Sequence, residues 1–162
     1  MDRVCPPGRP SGKQVNNTQA DNPQASRWEH FHHVADVGIR GCGPTMATAF
    51  EQAALAMMAV ITEPARIRTT ENLNIQCQAP DPELLLTDWL NAIIYEMATR
   101  KMLFGKFRVR IEDGRLNATI HGEPVNVNRH TPAAEIKGAT MSELKVDQAP
   151  AGGWIAQCIV DV

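Results

Sequence analysis

The four cysteines, Cys5, Cys42, Cys77 and Cys158, lie far apart and form no CxxC pair. That absence excludes a zinc ribbon and a dithiol redox motif. There is no GxxxxGK[ST] and no GxGxxG, so the chain has no phosphate-cradling glycine loop, and no Ser or Cys stands in a recognisable nucleophile elbow. No stretch is long and apolar enough to span a bilayer, and residues 1–27 lack the apolar run of a signal peptide. Cys77 and Cys158 sit within apolar strand patterns, where a reduced thiol behaves as a small hydrophobe, and a cytoplasmic location is expected. Excess positive charge is also missing: the formal net charge is −2, which gives no global basic field for a nucleic acid.

What is present describes one compact domain with a tail. The 162 residues are 43% hydrophobic and 21% charged, ordinary for a globular protein. Residues 1–27 are rich in Pro, Asn, Gln, Ser and Gly and cannot bury enough surface to offset ordering, so they are expected to be a disordered tail, with the domain at 28–162. Two short extended stretches flank Val34-Ala35-Asp36, and a helix follows over Thr45–Thr62, with Phe50, Ala53, Met57 and Ile61 on one face. "NLNIQCQA" alternates as a strand. "DPELLLTDWLNAIIYEMATRKM" is the clearest helix, capped by Asp81 with Pro82 at its first position. "FRVRIEDGRLNATIHG" reads as a hairpin turning at Asp113-Gly114, and "EIKGATMSELKV" and "WIAQCIVDV" as paired strands. The expected class is α+β, in the order β-β-α-β-α-β-β-β-β, with two main helices packed on a mostly antiparallel sheet.

Chemistry concentrates in a few acids. Along the last strand both faces are mostly apolar, which leaves Asp161 at the rim of a central strand. A carboxylate there either faces water or belongs to a site, since an isolated buried charge is costly. Asp36, in "HVADVG", is either an Asx-turn aspartate or a second member of that site. If the two lie together, the carboxylate of Val162 brings a third negative group. Two such charges about 4 Å apart repel by about 4 kcal/mol at an effective dielectric near 20. A divalent cation would offset two charges and Lys137 the last. All-oxygen ligation selects Ca²⁺ or Mg²⁺ over zinc. The rival constellation is "HFHH", where His30 and His32 share a strand face and His33 points away, but no third zinc ligand is close in sequence. His130, Glu135 and Lys137 form either an acid/base cluster or a polar loop entering a strand.

Four segments in order resemble the archease family. "HHVADVGIRGCG" resembles its opening motif, "LLLTDWLNAIIYEM" its central helix, "HGEPVNVNRHTPAAEIKGATMSELKV" its Glu-Ile-Lys segment, and "WIAQCIVDV" its closing strand; Gly138 and Met141-Ser142 depart from the usual residues. The resemblance implies a protein cofactor rather than an enzyme. Such a cofactor activates the GTP-dependent RNA-splicing ligase of tRNA splicing and RNA repair, promoting guanylylation of the ligase's active-site histidine and multiple turnover, and meets RNA only indirectly through it. It further implies a bound divalent cation, Ca²⁺ or another hard ion such as Mg²⁺ or Mn²⁺, with ligands at Asp36, Asp161 and Val162, and His33 and Lys137 at motif positions beside them. The alternatives are a stand-alone metal-dependent hydrolase using Asp36 and Asp161, and a structural chaperone or interaction module.

Overall fold

The computed structural model describes residues 25–162; the expected tail, up to residue 24, lies outside the described residues. Structure begins with strand β1 (Arg27–His32), which turns into β2 (Val37–Gly43). Helix α1 (Met46–Ile61) follows almost at once. Its N-cap is Thr45, whose hydroxyl accepts the Thr48 N–H at 3.1 Å while Thr48 Oγ1 accepts the Thr45 N–H at 3.0 Å, a reciprocal capping box built from two threonines. The helix folds back over β2 so tightly that a Cβ on Gly41 would lie 2.2 Å from both Ala49 O and Ala53 N. Only glycine permits that approach.

Beyond a 3₁₀ turn (Pro64–Arg66), β3 (Glu71–Gln78) leads to α2 (Pro82–Arg100), where Asp81 Oδ1 accepts the Leu84 N–H at 2.9 Å as expected of its cap position. Strands β4 (Met102–Glu112) and β5 (Arg115–Pro124) form the anticipated hairpin. Asp113 and Gly114 have φ of 51° and 73°, the pair of positive values that the tightest hairpin turn requires. A one-turn helix α3 (Val127–His130) precedes β6 (Gly138–Ala139), β7 (Lys145–Gln148) and β8 (Trp154–Asp161).

The class is α+β with all strand pairs antiparallel, but the strands form two sheets rather than one. β1-β2-β8-β6 make the first, with β7 also paired to β8, and β3-β5-β4 the second. The expected single strand over 135–146 is two short strands separated by a turn in which Glu143 has a φ of 53°. α1 packs against β1, β2 and β8 of one sheet and β4 of the other, and α2 likewise touches both. The core between them is centred on Trp89, Phe50 and Phe104, all fully buried. Trp89 donates its indole N–H to Phe50 O at 3.1 Å and meets Phe107 edge to face, which ties the two helices to the three-stranded sheet. Among the described residues no helix is long and apolar enough to cross a membrane.

Candidate functional site

The register of the five-stranded sheet brings together residues that are remote in sequence. β2 and β8 pair from Val37 opposite Val160, so Asp36, in the bend before β2, and Asp161, the last residue of β8, adjoin the same end of that pair. On the other side of β8, Gly138 pairs with Asp161, which sets Lys137 beside Val162. The Lys137 N–H donates to Asp161 O at 2.8 Å, and Thr140 donates both its N–H and its hydroxyl to Ile159 O at 2.9 Å. The backbone of Asp161 is therefore clamped against β6 while its side chain is exposed. His33 and Asp36 are the first and last residues of the β1–β2 loop, directly across from each other. Asp36 is half-buried, and His33 Nδ1 is a buried polar atom without a hydrogen-bond partner among the described residues. Val34, at the loop's tip, is 92% exposed, and Met141, just past β6, is 67% exposed.

Alternation explains why acids can end these strands. Ile39, Ala156, Cys158 and Val160 face α1 and belong to the main core. Asp161 takes the opposite face of β8, which it shares with Gln157 and, across on β2, with Gly38 and Arg40. Phe31 lies over Gly38 so closely that a Cβ there would sit 2.4 Å from its ring, and the Arg40 guanidinium stacks 4.7 Å from the same ring's centroid. Arg40 is 6% exposed; its Nε donates to Gln157 Oε1 at 2.8 Å and its Nη1 pairs with Glu29. Sequence reasoning missed this Glu29–Arg40–Gln157 group. Its signal was one charged residue in the otherwise small and apolar "VGIRGCG".

The remaining histidines have other partners. His30 Nε2 lies 2.7 Å from Ala56 O, and a donated N–H there ties β1 to α1; His32 is exposed. His130 does not form an acid/base cluster with Glu135 and Lys137. It is fully buried, whereas Glu135 and Lys137 are exposed. Its Nδ1 accepts the Asn126 N–H at 2.8 Å, leaving Nε2 to donate to Glu123 Oε2 at 3.0 Å. Glu123 also receives both guanidinium nitrogens of Arg129, at 2.6 and 2.7 Å, and the Arg68 N–H at 2.6 Å. The Arg129 guanidinium, with help from Arg68 N–H and His130, holds the Glu123 carboxyl far below the usual carboxylate range despite burial. Nothing in the polar string "VNVNRHT" announces that its histidine is interior. Burial alone pushes the Cys158 thiol up to about 12, so it is inert packing.

As a metal centre, the tip has a restricted donor set. Among the described residues no group of three His, Cys, Asp or Glu side chains could hold a metal ion. The carboxylates of Asp36 and Asp161 and a main-chain oxygen at Val162 remain, an all-oxygen set whose chemistry suits a hard cation completed by water or phosphate and does not suit zinc.

The archease protein family matches residues 28–162. The chain is 36% identical over 140 residues to an archease of Pyrococcus furiosus, covering 84% of this chain and 99% of that protein. It is 34% identical over 144 residues to an archease of Methanosarcina mazei, covering 86% and 98%. Its structure is similar to the solution structure of protein 1598 of Methanobacterium thermoautotrophicum, with a TM-score of 0.72 and 28% identity over 83% of this chain and 98% of that one. A crystal structure from Thermotoga maritima, described as an archease and possible chaperone, shares the fold at a TM-score of 0.50 and 19% identity, covering 82% and 94%. With a family match that spans the folded domain from residue 28 to residue 162, and with relatives 34–36% identical over most of their length, the chain belongs to the archease family.

Proposed function

We propose that this protein is a non-catalytic activator of the GTP-dependent RNA-splicing ligase. In this reading it presents the Asp36–Asp161 tip to the ligase active site and promotes guanylylation of the ligase histidine and multiple turnover. The observation that supports the reading is the strand register, in which β2 begins at Val37 opposite Val160 and β6 begins at Gly138 opposite Asp161, so that Asp36, Asp161 and Lys137 all adjoin one end of the sheet. Two carboxylates brought close together would repel each other, and a bound cation would relieve that repulsion. Asp36, Asp161 and a main-chain oxygen of Val162 would hold a hard cation such as Ca²⁺ or Mg²⁺. When bound, the cation supplies positive charge against phosphate oxygens.

The chain's own residues do the rest. Pairing with β6 fixes the backbone of Asp161, Lys137 supplies a positive charge beside it in register, and His33 offers a buried ring nitrogen without a hydrogen-bond partner among the described residues. Val34 and Met141 border the tip as exposed apolar side chains, which suits docking onto another protein and supports a partner-directed role over a stand-alone hydrolase. The test is ligase guanylylation with Asp161→Ala and Asp36→Ala. Loss of stimulation with an unchanged melting temperature is expected. Undiminished stimulation overturns the reading, and a melting temperature that falls in step with activity favours a purely structural role for the tip.

A further inference from the structure

The net charge of −2 conceals a one-sided distribution on the three-stranded sheet. Its inner face buries Ile75, Val109, Leu116, Ala118 and Ile120. Its outer face is polar throughout, and the registers align it in cross-strand rows. Lys106, His121 and Asn72 form one row; Arg108, Thr119 and Asn74 the next; Arg110, Asn117 and Gln76 the third. Each row thus carries one cation on β4, a small hydrogen-bonding or imidazole group on β5 and one amide on β3, with no carboxylate in any of the three. The fourth row differs, placing Glu112 opposite Arg115. Lys106, Arg108 and Arg110 are exposed and make no ion pair among the described residues. The nearby carboxylate of Glu51, at the edge of β4, accepts the Val109 N–H at 2.8 Å and also lies within the field of Arg108, without forming an ion pair with it. A shallow groove of about 710 Å³ crosses the second and third rows, with Glu51 the one carboxylate in its lining. His121 registers the local field: its pKa is lowered, first by desolvation and then by Lys106 and Arg108.

We propose that this face binds a single-stranded nucleic acid, with successive phosphates on Lys106, Arg108 and Arg110 and bases over the amides of β3. Residues i and i+2 of a strand are about 6.6–6.8 Å apart on one face, which is close to the step between phosphates in an extended single strand. The amide column runs two strand spacings away, about 9.6 Å, within a nucleotide's reach from phosphate to base. An acidic protein partner is the poorer fit, because protein interfaces need a buried apolar or aromatic anchor. None of the exposed large hydrophobics lies on these three strands. Without an aromatic stacking platform, binding rests on phosphate contacts and is strongly salt-dependent. This site is separate from the acidic tip and does not depend on its reading; it also departs from the expectation that RNA meets the chain only through a partner.

The test uses the isolated full chain and a fluorescently labelled oligouridylate twelve nucleotides long, followed by anisotropy across a potassium chloride series. Three phosphate contacts give a log–log salt slope of about −2. The double variant R108Q/R110Q, exposed and expected to melt with the wild type, brings the slope to about −0.7 and weakens binding at least tenfold at low salt. N74A/Q76A weakens binding while leaving the slope near −2. No anisotropy change with wild type, or equal binding by R108Q/R110Q, overturns the proposal. Equal binding of a duplex of the same length rules out the single strand. Equal binding of an oligoglutamate of matched charge assigns the face to an acidic protein instead.

Discussion

The two sheets of this molecule handle polar groups in opposite ways. In the five-stranded sheet, β8 is buried from Ile155 to Val160, with apolar residues on both faces and Gln157 enclosed with Arg40. At the end of β8 the burial stops, and Asp161 is exposed there, as is Lys137 just before β6. In the three-stranded sheet one face is wet, so charge spreads along the strands in rows. A covered sheet concentrates chemistry into a point suited to a reaction centre or an ion, whereas a half-open sheet spreads it over a surface suited to a long polymer.

Substitutions can break this contrast, beginning with the severest. Gly41→Val drives a side chain into the α1 backbone and is expected to lower stability by about 3 kcal/mol or more, measured by urea denaturation; no small variant is available because the clash is with main-chain atoms. Glu123→Gln comes next, since it leaves Arg129 and the Arg68 N–H without their carboxylate. The sign of its pH dependence is fixed. Glu123 has a depressed native pKa, so its stabilisation is present above the ordinary carboxylate value of 4.5 and fades as pH falls below that value. Melting curves of wild type and Glu123→Gln should differ by several degrees at pH 7 and converge on acidification. A gap that persists unchanged at pH 2–3 contradicts the ionised-carboxylate account.

Asp161→Asn sharpens the contrast from the other side. With no cation added, removing the charge of this exposed carboxylate should change stability by no more than about 0.5–1 kcal/mol, in the stabilising direction if Asp36 lies close by, while ligase stimulation is lost. A clear destabilisation in metal-free buffer would mean that the carboxylate has a local structural partner. The smallest effect is expected for Thr119→Val on the open face, within about 0.5 kcal/mol by denaturation, despite the loss of its 3.1 Å bond to Asn74.

Helix α2 was legible because its cap, its Pro82 and its apolar spacing agree, and the β4–β5 hairpin because Asp113-Gly114 matches the turn geometry. The division into two sheets was not, because alternation assigns residues to a face without saying which strands share it. The break between β6 and β7 escaped notice because it turns on a positive φ at Glu143, a residue type that gives no hint of it. Asp36 and Asp161 stood out as acids in apolar strings, but only the pairing of β2 with β8 brings the strand ends that carry them to one end of the sheet. His130 misled for the reverse reason, a polar residue in a polar string that the fold encloses with Glu123.

The pairing of β2 with β8 also governs the order in which the molecule can assemble. Arg40 and Gln157 bond across 117 positions, whereas β4 and β5 meet through a two-residue turn. Loop closure of that length is entropically slow, so the three-stranded sheet is expected to gain amide protection first and the five-stranded sheet to close late, as pulsed hydrogen exchange would reveal. Until β8 arrives, β2 presents an unpaired strand edge, which makes chains lacking residues 154–161 prone to self-association. The acidic tip then exists only in molecules whose folding is complete.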